Sequence, residues 1–135
     1  MKLFPVAALA FAVLFSSEVQ AQTIRIGELN SYKAFAAFLE PYKKGMALAL
    51  EEINRDGGIN GRKLELVSRE DGGNPGDAVR VAEELISREN VSLLMGTFAS
   101  NVGLAVSNLA AQRKIVFIAA EPLSDKIVWE NGNRY

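Results

Sequence analysis

The chain has 135 residues, 49% of them hydrophobic, with 15 basic and 16 acidic side chains and neither cysteine nor histidine. That inventory excludes a disulfide scaffold, thiol catalysis, thiolate metal sites and a histidine-based triad. The near balance of charge, without a basic stripe, leaves no footprint for nucleic acid.

In chain order, a secretory signal peptide is read first. Met1 and Lys2 make a basic start, residues 3–15 are apolar apart from Pro5, and Val19-Gln20-Ala21 places small residues where a signal peptidase cleaves. The mature chain is expected to begin at Gln22. The apolar run is shorter than the roughly twenty residues a transmembrane helix needs. Nothing polar breaks residues 7–15 as an amphipathic N-terminal helix would require. No cysteine follows to carry a lipid, so a soluble product of about 114 residues is expected, enough for one small domain with a core.

Residues 24–29 read as a short first strand, rich in β-branched side chains and directly after the expected cleavage site. Residues 30–38 read as a loop carrying Tyr32, Phe35 and Phe38. Pro41 fits an early helical position, and Met46, Ala49, Leu50 and Ile53 recur at helical spacing until Asp56-Gly57-Gly58 ends the helix. Asn60-Gly61 turns into a second strand over 63–68. Pro75 opens a second helix whose apolar face is Ala78, Val81, Ala82, Leu85 and Ile86. Residues 91–95 form a nearly continuous apolar strand, as burial on both faces requires. A helix over 101–112 and a fourth strand over 115–119 complete a β-α-β-α-β-α-β order. That order predicts an α/β fold with a parallel sheet and helices on both faces. Residues 131–135 read as a loop that closes no architecture, so further chain is expected beyond them.

Ligands of an open parallel sheet gather at the carboxyl ends of its strands. Four loops qualify, over residues 30–38, 69–76, 96–100 and 120–125. In the third, small residues including Ala99 let a ligand approach the backbone, and Ser100 with the amides that follow suits a carboxylate. The alternative is that Ser100 caps the helix. Asn30, Ser31, Tyr32 and Phe35 offer polar and aromatic walls, or aromatics that pack beneath the loop. Asp71 fits a role bracing its own turn, since no phosphate-binding glycine motif occurs anywhere. Glu121 and Asp125 invite a paired-carboxylate reading, although Ser124 and Asp125 more simply start a helix or turn.

The stretch 45–54 running into Gly57-Gly58-Ile59-Asn60-Gly61-Arg62-Lys63-Leu64-Glu65-Leu66, then Glu70-Asp71, Asn74-Pro75, Ala78, residues 91–96, Ser100 and residues 115–120, resembles the type I periplasmic solute-binding proteins of the branched-chain amino acid transport class. The resemblance implies a Rossmann-like N-terminal lobe, of which residues 22–135 are a part, hinged to a second lobe. It implies a small-molecule solute, an amino acid or organic acid, held between the lobes without catalysis, cofactor or metal. The solute would be delivered in the periplasm to the permease subunits of an ABC transporter. By motif position Ser100 matches a serine that contacts the solute carboxylate, and Ala120 matches a residue whose backbone lines the pocket. The first pocket loop matches loosely.

Two departures bear on the solute. Asn30-Ser31-Tyr32-Lys33 stands where a serine-glycine-proline run is usual, and Glu121-Pro122-Leu123 stands where a hydroxyl residue often follows alanine. Pro122 supplies neither hydroxyl nor amide proton. This neighbourhood looks more like members that carry aromatic or other organic acids. The expected contact set is therefore Ser100, Ala99, Ala120, Pro122, Tyr32 and Ser31. The rivals are the sensor domain of a signalling protein and an exported α/β hydrolase.

Overall fold

The structure, a computed structural model, describes residues 22–135; the expected signal peptide lies outside the described residues. Four strands, β1 (Ile24–Asn30), β2 (Leu64–Glu70), β3 (Leu93–Gly96) and β4 (Phe117–Ala119), alternate with helices α1 (Ala36–Arg55), α2 (Pro75–Ser87) and α3 (Ser100–Arg113). All strand pairs are parallel, in the order β2-β1-β3-β4. The register brings Leu29 beside Gly96, and Gly96 beside Ala119. The carboxyl ends of β1, β3 and β4 therefore finish along one edge.

Strand alternation decides what each face buries. Leu29, Val67 and Leu94 point toward α2 and α3 and meet Val81, Leu85, Val102 and Val106 in the main core. Leu85, Leu94, Val102 and Val106 are fully buried, each side chain contributing roughly 1.5–3 kcal/mol of transfer free energy. The opposite face carries Ile26, Leu64, Leu66 and Met95, which with Met46 and Leu50 of α1 bound an open cavity of about 130 Å³. Helices thus lie on both faces, as the alternating pattern predicts. The α1 face is the thinner, leaving Val116 and Ile118 half exposed.

Local signals explain most boundaries. At the end of α1, Gly58 N–H donates to Ile53 O at 2.8 Å and Gly57 N–H to Asn54 O at 3.3 Å, with both glycines at positive φ. This is a Schellman stop, and it needs residues free of a Cβ. Asn60 and Gly61 form a two-residue turn closed by the Ile59–Arg62 bridge. Asn74 caps α2 by accepting from Asp77 N–H at 2.9 Å, with Pro75 as first helical residue.

One boundary differs from expectation. Helix α1 begins at Ala36, so residues 36–38 are helical and Pro41 lies inside the helix. Proline there removes the donor to the Ala37 carbonyl. The opening turn forms nonetheless, because Phe35 N–H and Leu39 N–H extend the ladder to Ser31 O and Phe35 O, each at 3.0 Å. Fully buried Leu39 and the stacking of Phe35 on Phe98, with centroids 4.4 Å apart, anchor that turn.

Candidate functional site

The carboxyl edge of the sheet concentrates the chain's buried polar side chains: Glu28, Asn30, Ser31, Asp71 and Thr97 are all fully buried. Asn30, Ser31, Asp71 and Thr97 stand at or just past strand ends, where side chains take over the hydrogen bonding of the ladder, while Glu28 lies two residues inside β1, paired with Ser68 and Met95. Asp71 accepts from Ser31 Oγ at 2.7 Å and from Gly73 N–H at 2.8 Å, tying the loop after β1 to the loop after β2. Its predicted role of bracing a turn is present, and the Ser31 bond extends that role across two loops. Burial, partly offset by Ser31 and Gly73, raises the Asp71 carboxyl above its ordinary value.

Ser31 therefore stands beneath the edge as a support, its hydroxyl engaged with Asp71. Tyr32 is half-buried and its phenol donates to Glu28 Oε1 at 2.9 Å. Lys43 lies over the Tyr32 ring, 5.5 Å from its centroid. Glu28 also accepts from the Ser68 hydroxyl. Burial raises the Glu28 carboxyl, the hydroxyls of Ser68 and Tyr32 oppose that shift, and Asp71 adds to it. No cation is among these influences.

The sign for stability follows from linkage. A carboxyl raised on folding binds its proton more tightly in the folded chain. Its stabilisation is complete below the ordinary carboxylate range and is lost as pH rises through the folded value. Glu28→Gln keeps the neutral form at all pH. In the intact protein it is expected to raise stability by about 1–3 kcal/mol near pH 8, with the gain vanishing toward pH 4. Denaturant unfolding at both pH values checks this, and a variant less stable than wild type near pH 8 would contradict it.

Ser100 settles one alternative. It is the first residue of α3, Ala99 is the N-cap, and no side chain caps the helix. The expectation that Ser100 caps is therefore corrected: it sits one residue too late, inside the helix. The opening amides of α3 have no side-chain acceptor, so the positive end of a fourteen-residue helix faces the edge with a hydroxyl beside it. Just before it, Thr97 holds φ of 62°, an uncommon conformation for a β-branched residue, and its buried Oγ1 has no partner.

Ala120 N–H donates to Gly96 O at 3.0 Å, so its amide is committed to the sheet. Pro122 is half-buried, and its ring lies against Gly103, where an added Cβ would stand 2.7 Å from Pro122 Cγ. Glu121 does not pair with Asp125 by any hydrogen bond; its Oε2 accepts from Asn30 Nδ2 at 3.3 Å. Asp125 instead opens a short 3-10 turn, Asp125–Ile127, capped by Ser124, as the simpler reading predicts.

Thr97 and Phe98 lie within the expected 96–100 loop, though outside the expected contact set, whereas Glu28 and Tyr42 were not among the expected site residues. Phe98 stacks on Phe35 and tilts against Phe38 at 5.5 Å, forming an aromatic rim beside Ser100. Tyr42, from α1, has a buried hydroxyl without a partner. Among the described residues no group of acidic side chains is arranged to hold a metal ion.

A parallel sheet whose carboxyl edge carries an uncapped helix start, buried polar groups and an aromatic rim has its polar groups where open α/β folds hold their ligands. The chain belongs to the periplasmic binding protein family, whose sequence profile matches residues 23–135. It is 33% identical over 122 residues to Leu/Ile/Val-binding protein homolog 7 of Brucella suis biovar 1 (strain 1330), a match covering 89% of this chain and 30% of the relative. Among solved structures it resembles the branched-chain amino acid transporter substrate-binding protein LivJ of Streptococcus pneumoniae in complex with isoleucine. That likeness has 29% identity and a TM-score of 0.71, and covers 76% of this chain and 30% of the other. A solute-binding protein of an ABC transporter from R. palustris, in complex with benzoate, matches at 27% identity and a TM-score of 0.68, over 78% and 29% of the two chains. The chain thus spans about 30% of the length of the relative it matches over 122 residues.

Proposed function

We propose that the chain is the N-terminal part of the solute receptor of an ABC importer. It is exported by a cleaved leader over residues 1–21, and it captures a branched-chain amino acid or related small organic acid in the periplasm for a membrane permease. It acts by binding, without catalysis or cofactor. The observation that carries the reading is the uncapped start of α3 with Ser100 as its first residue. A solute carboxylate there gains the opening amides, the helix dipole and a hydroxyl together. Ala99 and Ala120 leave room for close approach, Tyr32 forms a wall, and Ser31 and Pro122 hold the wall in place through Asp71 and Gly103.

The aromatic rim of Phe35, Phe38 and Phe98 favours a second reading of the solute's other end, an aromatic carboxylate. Thermal-shift measurements on the intact protein test the shared feature. Leucine and benzoate are compared with their amides, leucinamide and benzamide. A ligand bound only by the folded state raises the melting temperature, by an amount set by its concentration over its dissociation constant. At least one carboxylate is expected to shift the transition while its amide does not. Equal shifts from the amides, or no shift from either acid, would contradict the reading.

A further inference from the structure

The charges around Glu28 are one-sided. Its own loop brings Tyr32, α1 brings Tyr42 and Lys43, the loop after β2 brings Asp71, and the segment after β4 brings Glu121. Strand β2 adds the Ser68 hydroxyl, and the end of β3, residues 95–97, carries no titratable side chain. Of the basic groups nearby, Lys43 lies over the Tyr32 ring, Arg69 pairs with Glu89, and Lys33 is exposed. Among the described residues none of Glu28, Asp71 and Glu121 forms an ion pair.

A further negative charge at the start of α3 is relieved most easily by protonating one of these acids, and position selects Glu28. In the order β2-β1-β3-β4 it stands on the strand beside β3, whereas Asp71 follows β2, one strand farther out. Glu28 Oε1 is 3.1 Å from where a Cβ on Gly96 would stand. Gly96 is four residues before Ser100, a span of at most about 14 Å even for extended chain. Asp71 accepts a backbone amide as well as a hydroxyl, and Glu121 is only half-buried. Glu28 is fully buried and receives the neutral hydroxyls of Tyr32 and Ser68, so its charge is little screened by water. Both hydroxyls can also accept, so a protonated Glu28 keeps a partner for its own O–H.

Resting on the proposed carboxylate site, we infer that Glu28 tunes that site by its charge: a solute whose sole charge is a carboxylate is bound together with one proton, taken from solvent onto the Glu28 carboxyl. Glu28 touches no solute atom in this arrangement and acts through the field at the edge. Burial already raises its carboxyl above the ordinary range, and a neighbouring anion raises it further. Affinity is therefore highest at low pH. It falls as pH rises through the Glu28 value of the free protein and levels off above the value of the complex.

Titration calorimetry of the intact protein with benzoate and 4-methylpentanoate, acids without an ammonium group, tests this on wild type and Glu28→Gln. Between pH 5.5 and pH 8 both acids are largely ionised, and wild-type affinity is expected to fall roughly three- to tenfold. Near pH 6.5 the wild-type binding heat should differ between PIPES and imidazole buffers, whose ionisation enthalpies differ, because the proton is drawn from the buffer. Glu28→Gln should hold the low-pH affinity throughout and give equal heats in both. Tyr32→Phe removes a donor to the ionised carboxyl, so the midpoint of its pH profile should move upward, a change that a merely structural Glu28 would not produce. The wild-type heats and the Tyr32→Phe profile decide the matter if Glu28→Gln does not fold. A flat wild-type affinity with equal heats, or a Glu28→Gln profile as steep as wild type, overturns the proton coupling and leaves the carboxylate site standing. Binding of leucine but of neither simple acid does the same. If no carboxylate of any kind binds, the proposed function falls, and the proton coupling with it.

Discussion

Gly96→Ala is expected to destabilise the protein by about 3–5 kcal/mol and to abolish solute binding at the same time. Gly96 ends β3 at φ of 112°, a region that alanine enters only under strain, and its missing side chain is where β1 passes. A Cβ there would stand 2.4 Å from Leu29 O and 3.1 Å from Glu28 Oε1. The carbonyl is backbone and cannot rotate away, so β1 and β3 must separate at their carboxyl ends. That separation breaks the Thr97 N–H to Leu29 O bond of 2.8 Å and displaces the turn leading into α3. Against a typical total stability of about 5–15 kcal/mol, the loss is large enough to see at once in denaturant unfolding. Gly61→Ala is the control. It shares a positive φ of 78° but has open space around the position, so only the backbone strain of about 1 kcal/mol is expected. Equal losses from the two variants would show that the close approach of β1 to β3 is not what Gly96 serves.

Much of the fold is written locally. Strand alternation, the Gly57-Gly58 stop, the Asn60-Gly61 turn and Pro75 each carry their own stereochemistry, so four strands and three helices are readable before any packing is known. The start of α1 is not, because Pro41 argues for a later beginning. What overrides it is Phe35 stacking on Phe98, residues 63 positions apart in the chain and invisible to periodicity. The site divides the same way. Ser100 and the four loops follow from the rule that strand ends hold ligands, and the choice between cap and contact needed the phase of α3, which differs by one residue between the two.

The burial of Glu28 is legible in the sequence. The residue has the same parity as Ile24 and Ile26, the residues that face α1, so alternation already places a carboxyl on a buried face. An acid in phase with core residues is a signal of a polar network beneath a site. Thr97 and Tyr42 left no such mark, because their significance lies in partners they lack. The Asn30 to Glu121 bond joins residues 91 apart and follows only from β1 and β4 ending on one edge.

The most direct test of the account is Ser100→Ala in the intact protein. Ser100 is the first residue of α3 and makes no capping bond, so removing its hydroxyl costs the helix nothing specific. Folding stability is expected to stay within about 0.5 kcal/mol of wild type, as for substitutions away from caps and cores. The hydroxyl's bond to a solute carboxylate is charge-assisted, worth about 1.5–3 kcal/mol, so affinity should fall roughly ten- to a hundredfold. Calorimetric titration with whichever of leucine or benzoate binds wild type, paired with denaturant unfolding of the same preparation, separates the two effects. The account predicts weakened binding on an unchanged fold. A dissociation constant within twofold of wild type, or a loss of about 1 kcal/mol in folding with binding intact, would contradict it.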